Sequence, residues 1–185
     1  MELEFLETTK KQFEYYKSLG AKAFGQLKDA DLFWQFNAES NSIAIIVNHL
    51  HGNMKSRWTD FLIADGEKEW RNRDVEFEDI ISSKTELLEK WEEAWRCLFD
   101  ALNTVTIENF STEIYIRNQK HSIVDAVNRQ MAHYAYHVGQ IVYIARMIKA
   151  NHWESLSIPK GKSKDFNQDK FAKGKHGGHF TDDII

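Results

Sequence analysis

Residues 122–150 read SIVDAVNRQMAHYAYHVGQIVYIARMIKA, and the expected architecture follows from this stretch. Val127, Met131, Tyr134, Val138, Ile141 and Ala145 recur at helical spacing, so they form one apolar stripe. Ser122, followed three residues later by Asp125, makes a start resembling a capping box. His133 and His137 lie four residues apart in the same segment, slightly more than one helical turn. Both therefore project from one flank of the stripe and can converge on a single ion.

Three more segments carry the same periodicity. Residues 2–27 place Leu3, Leu6, Phe13, Tyr16, Leu19, Ala23 and Leu27 near helical spacing. Residues 42–62 follow the turn-rich NAESN and align Ile43, Ile46, Val47, Leu50, Met54, Trp58 and Phe61. Residues 83–103 align Leu87, Leu88, Trp91, Trp95, Leu98, Phe99 and Leu102. A polar connection, ADGEKEWRNRDVEFED, separates the second from the third. Before the fourth, FSTEIYIRNQKHS alternates Ile114 and Ile116 ahead of Asn118-Gln119, as a short hairpin or loop does. Four long amphipathic helices predict an all-α helical bundle. Residues 157–185 change character: rich in Lys, Gly and Asp, with Phe166, Phe171 and Phe180 scattered among them. They are expected to form an irregular tail packed on the bundle, within a single domain spanning residues 1–185.

Composition narrows the class. With 185 residues, 42% hydrophobic and 28% charged, the chain is long enough to bury a core and not biased toward disorder. One proline and nine glycines leave little turn punctuation, which favours helices over a many-stranded sheet. The net charge of −4 argues against nucleic acid as a partner. Cys97 is the sole cysteine, so no internal disulfide forms, and its helical context reads as a buried, inert thiol. No signal peptide is evident, and the longest apolar run, residues 43–47, cannot span a bilayer. A cytoplasmic location without membrane attachment is expected.

Eight histidines in this length give about 0.3 of an i,i+4 pair by chance, so the spacing gains weight only from its helix. A third imidazole is available from the second helix. His49 falls beside its apolar stripe, where an ion at the bundle mouth would be reachable by solvent, while His51 lies nearer the apolar centre. The helical wheel does not choose between them. Gln130 and Gln140 project near the flank of His133 and His137, where either can bond a ligand ring or sit exposed. His121 precedes the fourth helix at the expected opposite end, His152 suits a helix C-terminus, and His176 and His179 lie in the tail. Trp34 and Phe36 wall a pocket or, more simply, anchor the core. Arg71 and Arg73 in EKEWRNRD offer an anion site, although a solvated charged loop is the simpler expectation. Phosphate-cradling, dinucleotide and nucleophile-elbow motifs are absent from the sequence, as is a repeated E-x-x-H pattern of the di-iron type. The ligand set is nitrogen-rich and mononuclear, suiting Zn(II), Ni(II) or Fe(II).

NSIAIIVNHLHGNMKSRW (residues 41–58), followed after a long gap by NRQMAHYAYHVGQI (residues 128–141), resembles the DinB-like (YfiT-like) superfamily of four-helix metalloproteins. The likeness is nearest a branch classed by an unknown-function domain, and the ending SIPKGKSKDFN extends it. The resemblance implies an up-down-down-up bundle, often dimeric, holding one divalent ion, zinc or nickel first and iron or manganese after them. Its ligands would be His49, His133 and His137, which prefers His49 over His51. It also implies a small-molecule substrate and thiol S-transferase chemistry. There a low-molecular-weight thiol takes the open coordination position, loses its proton more readily and attacks an electrophile. A metal-dependent hydrolase is the alternative within catalysis, and a non-catalytic bundle or dimer stabilised by metal is the alternative outside it.

Overall fold

In the computed structural model, which describes residues 2–182, helices dominate: α1 (Glu2–Gly25), α2 (Ile43–Trp58), α3 (Lys84–Asn103), α4 (Ile123–Lys149) and a short α5 (Ser163–Ala172). Short 3₁₀ turns occupy Asp29–Phe33, Val75–Phe77 and Ala150–His152. Serine hydroxyls begin three of the long helices by accepting a backbone N–H three residues on. Ser42 takes that of Ile45 at 3.1 Å, Ser83 that of Glu86 at 3.2 Å and Ser122 that of Asp125 at 3.1 Å. The reciprocal half of the expected box at Ser122 does not form, because the Asp125 carboxylate turns to His121 Nδ1 instead.

The first turns of α2 are buried on every side, from Ile43 through Leu50, polar Asn48 and His49 included. A helix with no solvent face is a central helix. α2 packs chiefly on α3 and also on α4, while α1 packs on α4 and α3. The aromatic centre of the shared core joins α1, α3 and α4. Phe13 meets Trp95 and Tyr134 at ring-centroid distances of 6.2 and 5.9 Å, and Trp91 meets Phe24 and Trp95 at 5.1 and 5.4 Å. Each such side chain contributes about 1.5–3 kcal/mol by burial. Buried Tyr134 accepts from Trp58 Nε1 at 2.9 Å and donates to Asn53 Oδ1 at 3.2 Å, which ties α4 to α2.

Residues 59–83 fold back over α2. The amide of Asn48 donates to the carbonyls of Val75 and Glu76 at 3.2 and 3.1 Å, so the connection replaces solvent along that face. The connection is in turn clamped to a hairpin. Strands β1 (Ile114–Ile116) and β2 (Gln119–His121) pair antiparallel, Ile114 opposite His121 and Ile116 opposite Gln119. Arg117 and Asn118 turn the corner with φ of 56° and 58°, the conformation a two-residue hairpin requires. Both their N–H groups donate to the Asp65 carboxylate at 2.8 Å, and the Gly66 N–H donates to Tyr115 O at 2.8 Å.

The tail departs from expectation. Ser163–Ala172 is helical rather than irregular, and none of its residues is buried. Phe171, in a tail expected to pack on the bundle, is 83% exposed. Contact with α1 comes later, where Phe180 meets Tyr15 at 5.6 Å and Lys11 pairs with Asp182 at 2.7 Å. No helix among the described residues is long and apolar enough to cross a membrane.

Candidate metal centre

α2 contributes His49 and α4 contributes His133 and His137, and the fold brings the three rings together. One ring nitrogen of each lies within 4.8 Å of the others, the one such group of ligand-type side chains among the described residues. His133 Nε2 is 3.3 Å from His49 Nε2 and 3.1 Å from His137 Nε2. In a tetrahedral site with Zn–N bonds of about 2.0–2.1 Å, neighbouring donors are roughly 3.3–3.4 Å apart. Two of the three spacings therefore lie near what one cation needs.

Proton placement fits the same role. The His49 Nδ1–H donates to Glu76 Oε2 at 2.9 Å and the His137 Nδ1–H to Gln140 Oε1 at 2.9 Å. Each bond leaves the Nε2 lone pair directed at the cluster, the usual arrangement behind a ligating imidazole. Burial pushes His133 down to about 3, aided by neighbouring His137 and His49. Burial first, then His49, pushes His137 down to about 4 against the opposing Gln140 bond. Both rings are thus neutral at ordinary pH, as ligands must be. Buried His133 Nδ1 and Gln130 Oε1 have no hydrogen-bond partner among the described residues.

Glu76 is the main support for His49. Burial alone would raise its carboxyl, but bonds from His49 and Arg71 hold it below the usual range. Arg71 donates to it through Nε at 2.7 Å and Nη2 at 2.9 Å, and through Nη1 to Glu67 at 3.2 Å. The side chain of Arg71 is only 2% exposed, so the expectation of a solvated loop is corrected here. Residues 59–83 lie on α2, and desolvation makes Arg71 a buried ion-pair partner. Its neighbour Arg73 stays exposed and lies over the Phe77 ring, 5.3 Å from the centroid. Phe77 in turn stacks on His49 at 4.5 Å. Room for Glu76 against α2 comes from Gly52, where an added Cβ would lie 2.5 Å from Oε1.

The trio borders a cavity of about 460 Å³. Its lining includes Arg57, Arg71, Arg73, Arg117 and Arg129 with Asn41, Asn53 and Tyr136, and no carboxylate. Beyond Asn41 a second cleft of about 470 Å³ is walled by Trp34, Phe36, Tyr143 and Met147. Trp34 and Phe36 accordingly wall a pocket instead of anchoring the core.

His51, the rival to His49, points toward α3. It bonds Glu93 at 2.9 Å, and with Lys55 it pulls the Glu93 carboxyl down to about 2. His121 bonds Asp125, while His152, His176 and His179 stay outside the group. Cys97 lies 3.8 Å from the Thr59 hydroxyl and 3.9 Å from the Met54 carbonyl, and burial pushes its thiol up, as an inert thiol requires. Helical periodicity placed His133, His137 and Gln140 on one flank, and the family resemblance chose His49 over His51, but Glu76, Phe77, Arg129 and Arg117 carried no periodic signal.

Searches of curated proteins and of solved structures each return no match. A family described as "Protein of unknown function (DUF1572)" matches residues 1–162, which include every residue of the trio and its supports, and the chain belongs to that family.

Proposed function

We propose that His49, His133 and His137 hold one divalent cation, zinc or nickel, and that the chain is a metal-dependent enzyme acting on a small molecule in the adjoining cavity. The carrying observation is the convergence of three Nε2 atoms, two of them freed by Nδ1 bonds to Glu76 and Gln140. The ion, when bound, supplies Lewis acidity that lowers the pKa of a thiol or water beside it. The protein's own residues keep the rings neutral and oriented, and the cavity gives a substrate access to them.

Within that reading, transfer of a low-molecular-weight thiol is favoured over hydrolysis. Hydrolysis asks for a base beside the attacking water. No carboxylate lines the cavity, and nearby Glu76 is committed to His49 and Arg71. In the transfer, the sulfur gives up its proton to solvent and forms a bond to an electrophilic carbon, whose leaving group departs with the displaced electron pair. Membership of the DinB-like superfamily and its up-down-down-up path belong to the same proposal. Lys55 and Thr59 of the α2 end meet Glu93 and Cys97, which supports α2 and α3 running the same way. Lys10 meets Asn103 and Lys17 meets Glu92, which supports α1 running opposite to α3.

The test is elemental analysis of protein purified without an affinity tag, followed by an aryl halide assay with and without a thiol such as cysteine. Stoichiometric zinc or nickel and thiol-dependent conjugation are expected. Turnover of an ester without thiol would move the reading to hydrolysis, and unfolding on chelation without any turnover would move it to a structural ion.

A further inference from the structure

The cavity beside the three histidines carries more positive charge than its surroundings neutralise. Arg57, Arg71 and Arg117 all reach Glu67, and Arg71 also shares Glu76 with His49. Two carboxylates thus serve three guanidiniums and an imidazole. Arg73 and Arg129 line the same cavity and have no ion pair within 4.0 Å among the described residues. Buried Arg57, 7% exposed, also leaves its Nε–H without a partner. Uncompensated guanidiniums gathered around a concave site recognise anions, because the planar fork matches a carboxylate or phosphate edge.

Placement of Arg73 connects this charge to the histidine trio. Its guanidinium lies over Phe77, Phe77 stacks on His49, and the arginine is thereby held within one ring of the candidate metal ligands. Arg129 leaves α4 one turn before His133, so it borders the trio from the other helix. The two guanidiniums without an ion pair therefore come from α4, which supplies two of the imidazoles, and from the connection that supports the third.

We propose that this cavity binds a small organic anion, with Arg73 and Arg129 gripping its carboxylate or phosphate while the remainder of the molecule lies against His49, His133 and His137. The inference names the substrate class for the metal-site reading above and rests on it for its chemistry. Any thiol or electrophile taken there carries at least one negative charge. Neutral compounds of the same shape forgo the charge-assisted bonds to these solvent-exposed guanidiniums and bind more weakly.

Benzoate, phenyl phosphate and neutral benzyl alcohol are titrated by calorimetry into zinc-loaded protein, its Arg73→Gln and Arg129→Gln variants and the double variant. Arg146→Gln, on α4 about 26 Å along the helix from Arg129, controls for bulk charge. One or both anions are expected to bind, benzyl alcohol to bind at least tenfold more weakly, and each arginine variant to lose about tenfold, with affinity falling as salt rises. Whichever anion binds more tightly identifies the group the arginines recognise. Equal binding by the double variant, equal loss in Arg146→Gln, or no binding of either anion overturns the proposal. Zinc stoichiometry on the same samples separates the two readings. Anion binding in protein that takes no zinc sinks only the metal centre, and zinc binding without anion binding sinks only the arginine site.

Discussion

Gly52 lies where α2 presses on the Glu76 carboxylate, and alanine there adds one carbon without touching a histidine. The added Cβ would stand 2.5 Å from Oε1, 2.7 Å from Cδ and 2.8 Å from Cγ, whereas ordinary contact begins at 3.4 Å. The carboxylate must therefore retreat by about 0.9 Å. His49 leaves the same face of α2 three residues earlier, so retreat from Gly52 is also retreat from His49. Their 2.9 Å bond stretches to roughly 3.8 Å, too long to be a hydrogen bond. The paired Arg71 bonds of 2.7 and 2.9 Å are disturbed with it.

Alanine is otherwise the better residue within a helix by about 0.5–1 kcal/mol. Breaking a buried ion pair costs about 3–5 kcal/mol, so Gly52→Ala is expected to lose roughly 2–4 kcal/mol. At about 2–4 °C per kcal/mol for this size, Tm should fall by roughly 4–16 °C. Zinc affinity, measured by chelator competition, should fall about 10- to 100-fold as His49 loses its support. In a Glu76→Ala background the clash is gone, and the same glycine change should stabilise by about 0.5–1 kcal/mol. A Gly52→Ala protein with parental stability and zinc affinity would refute the assignment of Glu76 as the support of His49.

His49→Ala should lose stoichiometric zinc while His51→Ala keeps it, and retained metal in His49→Ala would overturn the ligand set. Tyr134→Phe strips a buried hydroxyl from Trp58 and Asn53 and should cost about 1–3 kcal/mol in urea unfolding, with an unchanged midpoint counting against that link. In metal-free protein His133 and His137 titrate near 3 and 4 when folded and near 6.5 when unfolded. The unfolded chain therefore binds protons first, so stability should fall as pH drops from about 6.5 toward 4, by at most about 1.4 kcal/mol per pH unit for each ring. Stability that is flat across that window, followed by circular dichroism, would contradict two buried neutral imidazoles.

The long helices were legible because their signals are local. Apolar residues at helical spacing and serine caps put each boundary within a few residues of its observed place. α2 ends at Trp58 rather than 62 because Asp60, with φ of 50°, turns the chain away. The hairpin was legible from alternating Ile114 and Ile116. α5 was not, since a helix that buries nothing has no apolar stripe to read. His49 was harder than the pair on α4. Its burial depends on residues 59–83 covering α2, so a wheel drawn on α2 alone put it at a solvent-facing edge. For the same reason Trp34 and Phe36 could be recognised as aromatic but not assigned to a cleft.

Glu76 and Arg71 show where local reading stops. In the sequence they belong to a charged connection like many others, and a charged connection is ordinarily solvated. They become site residues only because two distant interactions remove the water. Asn48 binds the backbone of Val75 and Glu76, and Asp65 holds the turn of the hairpin against the same segment. Glu76 then reaches His49 across a separation of 27 residues. One clue was nevertheless present in the chain. Gly52 weakens the interior of a buried helix, a cost that persists where another group must come close. A glycine three residues after a candidate ligand therefore marks the helix face on which its hydrogen-bond acceptor can pack. Of the two histidines on α2, His49 occupies that relation to Gly52, while His51 stands immediately beside the glycine and projects about 100° away from it. Read this way, the position of Gly52 chooses His49 over His51 on steric grounds, where apolar periodicity could not.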